Sequence, residues 1–285
     1  MSRVCILTDS TAQFPAPAFP GHELVNIIPL HIRINGHVHT DGKDIRAANL
    51  PPSAVKDPIP LALSPTVEEF HQVFSHLGTR YNEIVTILLS SQLSDTYRTA
   101  LEAAETVKGP ASIHIIDSQT TAVGLGVVVQ KAAQEAAKGG NSAWINRLVR
   151  GLLPRIYTVF CLQSLTYLIQ SGYLDPAQAI VGEMLGIVPF FILENGRLAQ
   201  IQKVRNQRHL VDLLHEFASE FGDLKHIAVV QGIPVMETEA RSLRDRINGD
   251  FPSATYSEHN IGAALATILG PRSFGMVAVE NYTYI

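Results

Sequence analysis

A chain of 285 residues with a net charge of -4, 46% apolar and only 17% charged, is long enough for two domains of ordinary size and has much apolar surface to hide. Acids outnumber bases and no basic run stands out, which argues against a nucleic-acid phosphate backbone as partner. Two cysteines, Cys5 and Cys161, without Cys-x-x-Cys spacing, indicate neither a disulfide framework nor a thiolate metal site, so a reducing cytoplasm is the expected setting.

The first residues, MSRVCILTDS, turn into a strand-like run and lack the apolar stretch and cleavage site of a secretory signal. Short β-branched runs then alternate with helical patterns, the signature of βαβ units and a mostly parallel sheet. Strands are expected at 4–7, 25–34, 84–89 and 113–116. Helices are expected in TVEEFHQVFSHL, where Thr66 and Glu69 form a capping box, in TYRTALEAAETV, and in GLGVVVQKAAQEAAKGG, which stops at Gly139 and Gly140. Ser142 is read as the N-cap of the next helix, whose residues Trp144, Ile145, Leu148 and Leu152 share one face.

A boundary is placed where that helix ends, giving an N-terminal domain over 1–154 and a C-terminal domain over 155–285. The second half reads as a strand at 156–161, helices at 165–169 and 177–185, and a strand at 187–193. A turn at Glu194, Asn195 and Gly196 leads to a strand at 198–203, then a helix from Val211, a strand at 227–230, a helix at 237–247 and C-terminal strands. The longest greasy run, GIVPFFIL, is too short to span a bilayer and holds a proline. No fixed-period repeat or low-complexity segment is present.

Three first-half strands end alike, in CILTDST, ILLSSQLS and IHIIDSQTT. Parallel strands share their carboxyl edge, so these hydroxyls and Asp9 and Asp117 should converge where ligands bind in open α/β sheets. Ser94 or Asp95 would then stand at a helix N-terminus, which favours an anion. The plainer reading is that these residues only cap helices. There is no Gly-x-x-x-x-Gly-Lys, and Gly124-x-Gly126 lacks the third glycine of a dinucleotide fingerprint. A singly charged carboxylate held by hydroxyls fits better than a phosphate. A Ser-His-Asp hydrolase has no Gly-x-Ser-x-Gly elbow to support it. His37 and His39 share one strand face but find no further metal ligand, so neither a metal nor a cofactor is indicated.

These stretches together resemble the DegV family of bacterial fatty-acid-binding proteins. The likeness rests on Thr8-Asp9-Ser10-Thr11, Ile28-Pro29-Leu30, Asp41-Gly42-Lys43-Asp44-Ile45, the run from Leu89 to Tyr97 with Asp95 where the family has glycine, and Ile116-Asp117-Ser118. Asn195-Gly196-Arg197 and Lys203 to Arg205 add a turn and a basic strand. The resemblance implies a two-domain α/β protein, an N-terminal mostly parallel sheet with flanking helices and a C-terminal α/β domain with a mixed sheet. A long-chain fatty acid would be clasped between them and presented to a partner fatty acid kinase. Ser94 would be the chief carboxylate holder, helped by Thr96 and Ser64, with Ile28, Pro29, Leu63, Ile268 and Arg272 on the acyl pocket or its rim.

The family's second donor, a threonine, aligns with Ala62, and its Gly-Gly-Arg and His-x-Gly-Pro-Gly become Ser171-Gly172-Tyr173 and Ile268 to Arg272. One lost hydrogen bond to a charged head is worth about 1.5–3 kcal/mol. About fifteen buried methylenes at roughly 0.8 kcal/mol each supply a gross term near 12 kcal/mol. Acyl binding therefore survives the change, with Ser64, Thr66, Thr96 or Arg272 as substitute donor. The alternative is a hydrolase or transferase acting on a small anionic substrate at the same strand edge.

Overall fold

The computed structural model describes residues 4–52, 59–170, 172, 174–204 and 207–281. Ser171, Tyr173 and Arg205, three positions of the family comparison, lie outside them.

The first strand, β1 (Val4–Asp9), is buried along its whole length, as a strand covered on both faces must be. It runs parallel to β2 (Val25–Ile28) on one side. The sequence pattern predicts one strand through residue 34, but Pro29 breaks it: the chain leaves the parallel sheet and starts a second one. That second sheet is antiparallel, with β3 (His31–Ile34) between β4 (His37–Thr40) and β5 (Leu61–Leu63). After β5 the expected capping box forms, Thr66 and Glu69 each serving the other's backbone N–H, and starts α1 (Val67–Gly78). Then come β6 (Glu83–Leu88), α2 (Thr96–Thr106) and β7 (Ser112–Asp117). The parallel sheet has the order β2-β1-β6-β7.

Alternation across that sheet sorts its side chains. Cys5, Leu7, Ile84 and Leu88 face Phe70 and Phe74 of α1 and Ala100 and Ala103 of α2. Val4, Ile6, Val85 and Ile87 face the opposite side, where α3 (Ala122–Ala137) and α4 (Ser142–Leu152) pack. The N-cap of α4 is Asn141, whose Oδ1 accepts from Trp144 N at 2.9 Å, and not the expected Ser142. Ser142 N instead donates to Glu83 Oε2 at 2.7 Å.

The second half builds a six-stranded mixed sheet. Its first strand is β8 (Ile156–Cys161), followed by short helices α5 (Tyr167–Gln170) and α6 (Pro176–Met184). A hairpin of β9 (Val188–Glu194) and β10 (Arg197–Val204) turns at Asn195 and Gly196, both with positive φ, as a two-residue hairpin loop requires. There follow α7 (Gln207–Ser219), which starts earlier than the expected Val211, then β11 (Leu224–Gln231), α8 (Glu237–Asp250) and β12 (Thr255–Asn260). Next comes a helix where only strands were expected, α9 (Ala263–Leu269), and the chain returns through β13 (Phe274–Glu280). The strand order is β10-β9-β8-β13-β11-β12, antiparallel except for the β11/β12 pair.

One face of the mixed sheet packs on α7 and α8 through Val159, Phe274, Leu214 and Leu243. The other presents Phe160, Ala228, Val230 and Val277 to the cluster that holds α3. Helix α3 is thus shared by both sheets, which explains why ten of its residues are buried and why it is apolar nearly all round. Gly126 serves the same junction: a Cβ there would stand 1.9 Å from the Gln13 carbonyl oxygen. The Gly124-x-Gly126 pair is therefore a close-packing device.

Candidate functional site

The carboxyl ends of β1, β6 and β7 meet at one edge, and most of their polar groups hold one another. Asp9, fully buried, accepts from Leu89 N at 2.7 Å, Thr11 N at 2.9 Å and Thr11 Oγ1 at 2.6 Å. Burial pushes its carboxyl above the usual range, against these bonds. Asp117 accepts from the backbone N–H and the hydroxyl of Ser91. Ser90 Oγ donates to the Gly196 carbonyl. This part of the convergent edge is a set of loop ties.

The next hydroxyls differ. Ser64, just after β5, and Ser94 and Thr96, at the start of α2, form a closed group. Ser94 Oγ lies 2.8 Å from Thr96 Oγ1 and 3.2 Å from Ser64 Oγ, and Thr96 Oγ1 lies 3.4 Å from Ser64 Oγ. Each hydroxyl has one proton to give. In a closed group those protons satisfy neighbouring hydroxyls; an arriving carboxylate takes them by rotation about Cβ–Oγ, without backbone movement. The N-cap residue Asp95 makes no side-chain bond to the helix end, so the first-turn N–H groups of α2 add positive potential at the same place.

Beside this group lies a cavity of about 750 Å³, within the size range of small-molecule sites. Leu61, Ala62 and Leu63 form one wall, Leu93 and Ser94 another, and Thr267 and Ile268 of α9 close it from the second half of the chain. Ala62, Leu63, Ser64, Ser94 and Ile268 therefore line one space, while Thr96, fully buried, stands behind Ser94. Three other residues singled out from the sequence do not line it. Ile28 is buried among Phe70, Phe74 and Leu88, Pro29 lies between the two sheets, and Arg272 is exposed in the loop after α9.

Of the four candidate replacements for a donor at Ala62, two join the hydroxyl group, Ser64 and Thr96. Ser64 follows Ala62 by two positions, the spacing that returns a side chain to the same strand face. Thr66 reaches the cavity, but its hydroxyl is engaged with Glu69. The cation at the mouth is Arg98, paired with Asp95 at 3.0 Å. Sequence reasoning missed Leu61, Gln92 and Thr267 on the lining. Leu61 lies in a three-residue strand and Thr267 in a seven-residue helix, both too short for periodicity to classify, and Gln92 lies in the loop between β6 and α2. His37 lies exposed on β4 with His39 beyond it, and among the described residues no three His, Cys, Asp or Glu side chains gather to hold a metal. No helix among them is long and apolar enough to cross a membrane.

The fold and this space define a two-domain α/β protein with a hydroxyl-rimmed, ligand-sized cleft lined by elements from both halves. The chain belongs to the DegV family, described as a family of uncharacterised proteins, whose sequence model matches residues 3–281. A DegV domain-containing protein of Caldanaerobacter subterraneus is 27% identical over 285 residues, covering 99% of this chain and all of its own. A DegV family protein of Thermus thermophilus, whose structure is described as one of fatty acid binding, superposes with a TM-score of 0.84 at 22% identity, over 98% of this chain and 100% of that one. The fatty acid kinase B3 protein of Streptococcus pneumoniae, solved loaded with linoleic acid, gives a TM-score of 0.81 at 18% identity, over 99% and 100%. At these identities the two structural likenesses establish the fold.

Proposed function

We propose that this protein binds a long-chain fatty acid between an N-terminal domain, 1–154, and a C-terminal domain, 155–285. Ser94 holds the carboxylate, with Ser64 and Thr96 as its helpers and Ser64 in the place of a donor at Ala62. The acyl chain lies along Leu61, Leu63, Leu93 and Ile268. The observation that carries this reading is the closed group of three hydroxyls beside a cavity with an apolar wall, a donor set matched to a single carboxylate.

The protein acts as a carrier without catalysis of its own. The bonds of the Ser94 hydroxyl run to other hydroxyls and to the Thr96 backbone, neither histidine nor lysine is among the described residues of the cavity wall, and the carboxylate next to it, Asp95, is paired with Arg98, which supports a Ser94 that is a hydrogen-bond donor and not an activated nucleophile. The carrier works in the cytoplasm, where Cys5 and Cys161 stay reduced, and delivers to a fatty acid kinase, the partner for which the Streptococcus pneumoniae relative is named.

Protein purified from cells and denatured for extraction is expected to release one fatty acid per chain by mass spectrometry. Delipidated protein should melt higher with palmitate or oleate, since a ligand bound only by the folded state raises stability. Neither a released lipid nor a shift with either acid would end the proposal.

A further inference from the structure

Helix α9 draws its N-terminal cap from the other half of the chain. All seven of its residues are buried, and Gly262 before it has no side chain to accept the first N–H groups. The amide of Ala264 donates instead to Asp41 Oδ1 at 3.3 Å, across 223 positions of sequence, and that of Ala263 also favours the carboxylate. Asp41 is itself only 7% exposed. Ser10 Oγ donates to its other oxygen at 2.6 Å and accepts from Leu30 N at 3.0 Å, so the carboxylate is fixed to the ends of β1 and β2. From that anchored end α9 runs to Thr267 and Ile268, which face Leu61, Ala62 and Leu63 across the cavity.

We propose that Asp41 is a positioning residue of the acyl site: by capping α9 from the opposite half it sets how far Ile268 stands from the Leu61–Leu63 strand, and so which acyl chains fit. Buried first-turn N–H groups have no water to turn to. Without the carboxylate, α9 must shift or fray to satisfy them, and its far end moves with it. Asp41→Asn keeps an oxygen for Ala264 but removes the charge, and so has a smaller effect than Asp41→Ala. The chain-selection part rests on the fatty-acid reading; the cap does not.

The test compares full-length wild type, Asp41→Asn, Asp41→Ala and Ser94→Ala. Amide hydrogen exchange is followed by mass spectrometry, and dissociation constants are measured for laurate, palmitate and stearate. Asp41→Ala should speed exchange of the α9 peptide by at least about tenfold while α1 and α8 keep their rates. The ratio of the tightest to the weakest of the three constants should narrow at least about threefold. Ser94→Ala should weaken all three acids by one factor and leave that ratio unchanged. Unaltered α9 exchange, or faster exchange everywhere with uniformly weaker binding, overturns the proposal. Should Asp41→Ala not fold, Asp41→Asn is judged by the same two readouts. If wild type binds none of the three acids, the fatty-acid reading and chain selection fall together, and α9 exchange alone decides the cap.

Discussion

Ser90 and Gly196 touch across the junction of the two sheets. The hydroxyl of Ser90, at the end of β6, donates to the Gly196 carbonyl at 2.8 Å, and Gly196 turns the β9/β10 hairpin with φ near 80°. A Cβ at that glycine would stand 2.3 Å from Ser90 Oγ. The next residue adds a second tie, Arg197 Nε to Gln92 Oε1 at 2.6 Å, so the hairpin tip is seated on the loop that leads to Ser94.

Gly196→Ala is therefore expected to destabilise the protein by about 1–3 kcal/mol, from positive φ in a residue with a Cβ and from displacement of Ser90. Urea unfolding of the two proteins measures it. Ser90→Gly in the same background relieves the contact but not the φ strain, so it should restore part of the loss. An unchanged midpoint for Gly196→Ala would mean that the hairpin is not seated as described.

The carboxylate site gives a prediction about binding with little effect on folding. Ser94→Ala removes the hydroxyl shared by Ser64 and Thr96, and fatty-acid affinity should fall about tenfold to a hundredfold. Ser64→Ala should cost less, since Ser94 and its neighbour Thr96, 2.8 Å away, both keep their hydroxyls. Titration with a fluorescent fatty acid reports the affinities, and melting temperatures within a few degrees of wild type exclude misfolding. Equal affinity in Ser94→Ala would place the head group elsewhere.

What the sequence displays depends on how much of each element its own pattern determines. Strands β1, β6 and β7 are legible because buried parallel strands are continuous apolar runs, and here each ends abruptly in hydroxyls and acids. Helix α1 is legible from the Thr66–Glu69 box. Helix α9 is not: it is buried on every side, so it has no polar face from which to read a period, and seven residues, six of them apolar, suit a strand equally well. The split at Pro29 depends on which sheet receives His31–Ile34, a tertiary matter. Ser94 and Thr96 stand out in sequence, whereas Ser64 joins them only because β5 pairs with β3. Arg272 is expected at the rim only through the family resemblance; it is exposed in the loop after α9 and is not among the residues that line the cavity.

Both thiols should be inert in the native protein. Burial pushes the Cys5 thiol up to about 12 and the Cys161 thiol well above its usual value, and only the thiolate reacts. A chromogenic disulfide reagent near neutral pH is expected to titrate neither in buffer and both in concentrated urea. Rapid labelling of folded protein would contradict the packing of β1 or β8.

Acid should weaken the six-stranded mixed sheet through His226. Thr255 Oγ1 donates to the Lys225 carbonyl at 3.1 Å, so it accepts from His226 Nδ1 at 2.7 Å. That leaves His226 Nε2 to accept from Ser257 Oγ at 3.0 Å, and the Ser257 oxygen accepts in turn from His259 Nε2 at 2.8 Å. Burial, and then the neighbouring His259, lower the His226 pKa from 6.5 to about 4. The unfolded chain thus takes up the proton first, and the stability held above pH 6.5 is lost as pH falls toward 4. At about 1.4 kcal/mol per unit this amounts to about 3 kcal/mol. Asp9 and Asp41 act in the opposite sense: burial raises both carboxyls, so the folded state gains stability as they take up protons on the way down to 3.8. Comparing His226→Gln with wild type isolates the histidine. Urea unfolding between about pH 7.5 and pH 4.5 should show a shallower loss in the variant, and parallel curves would mean that His226 is already free to protonate in the folded protein.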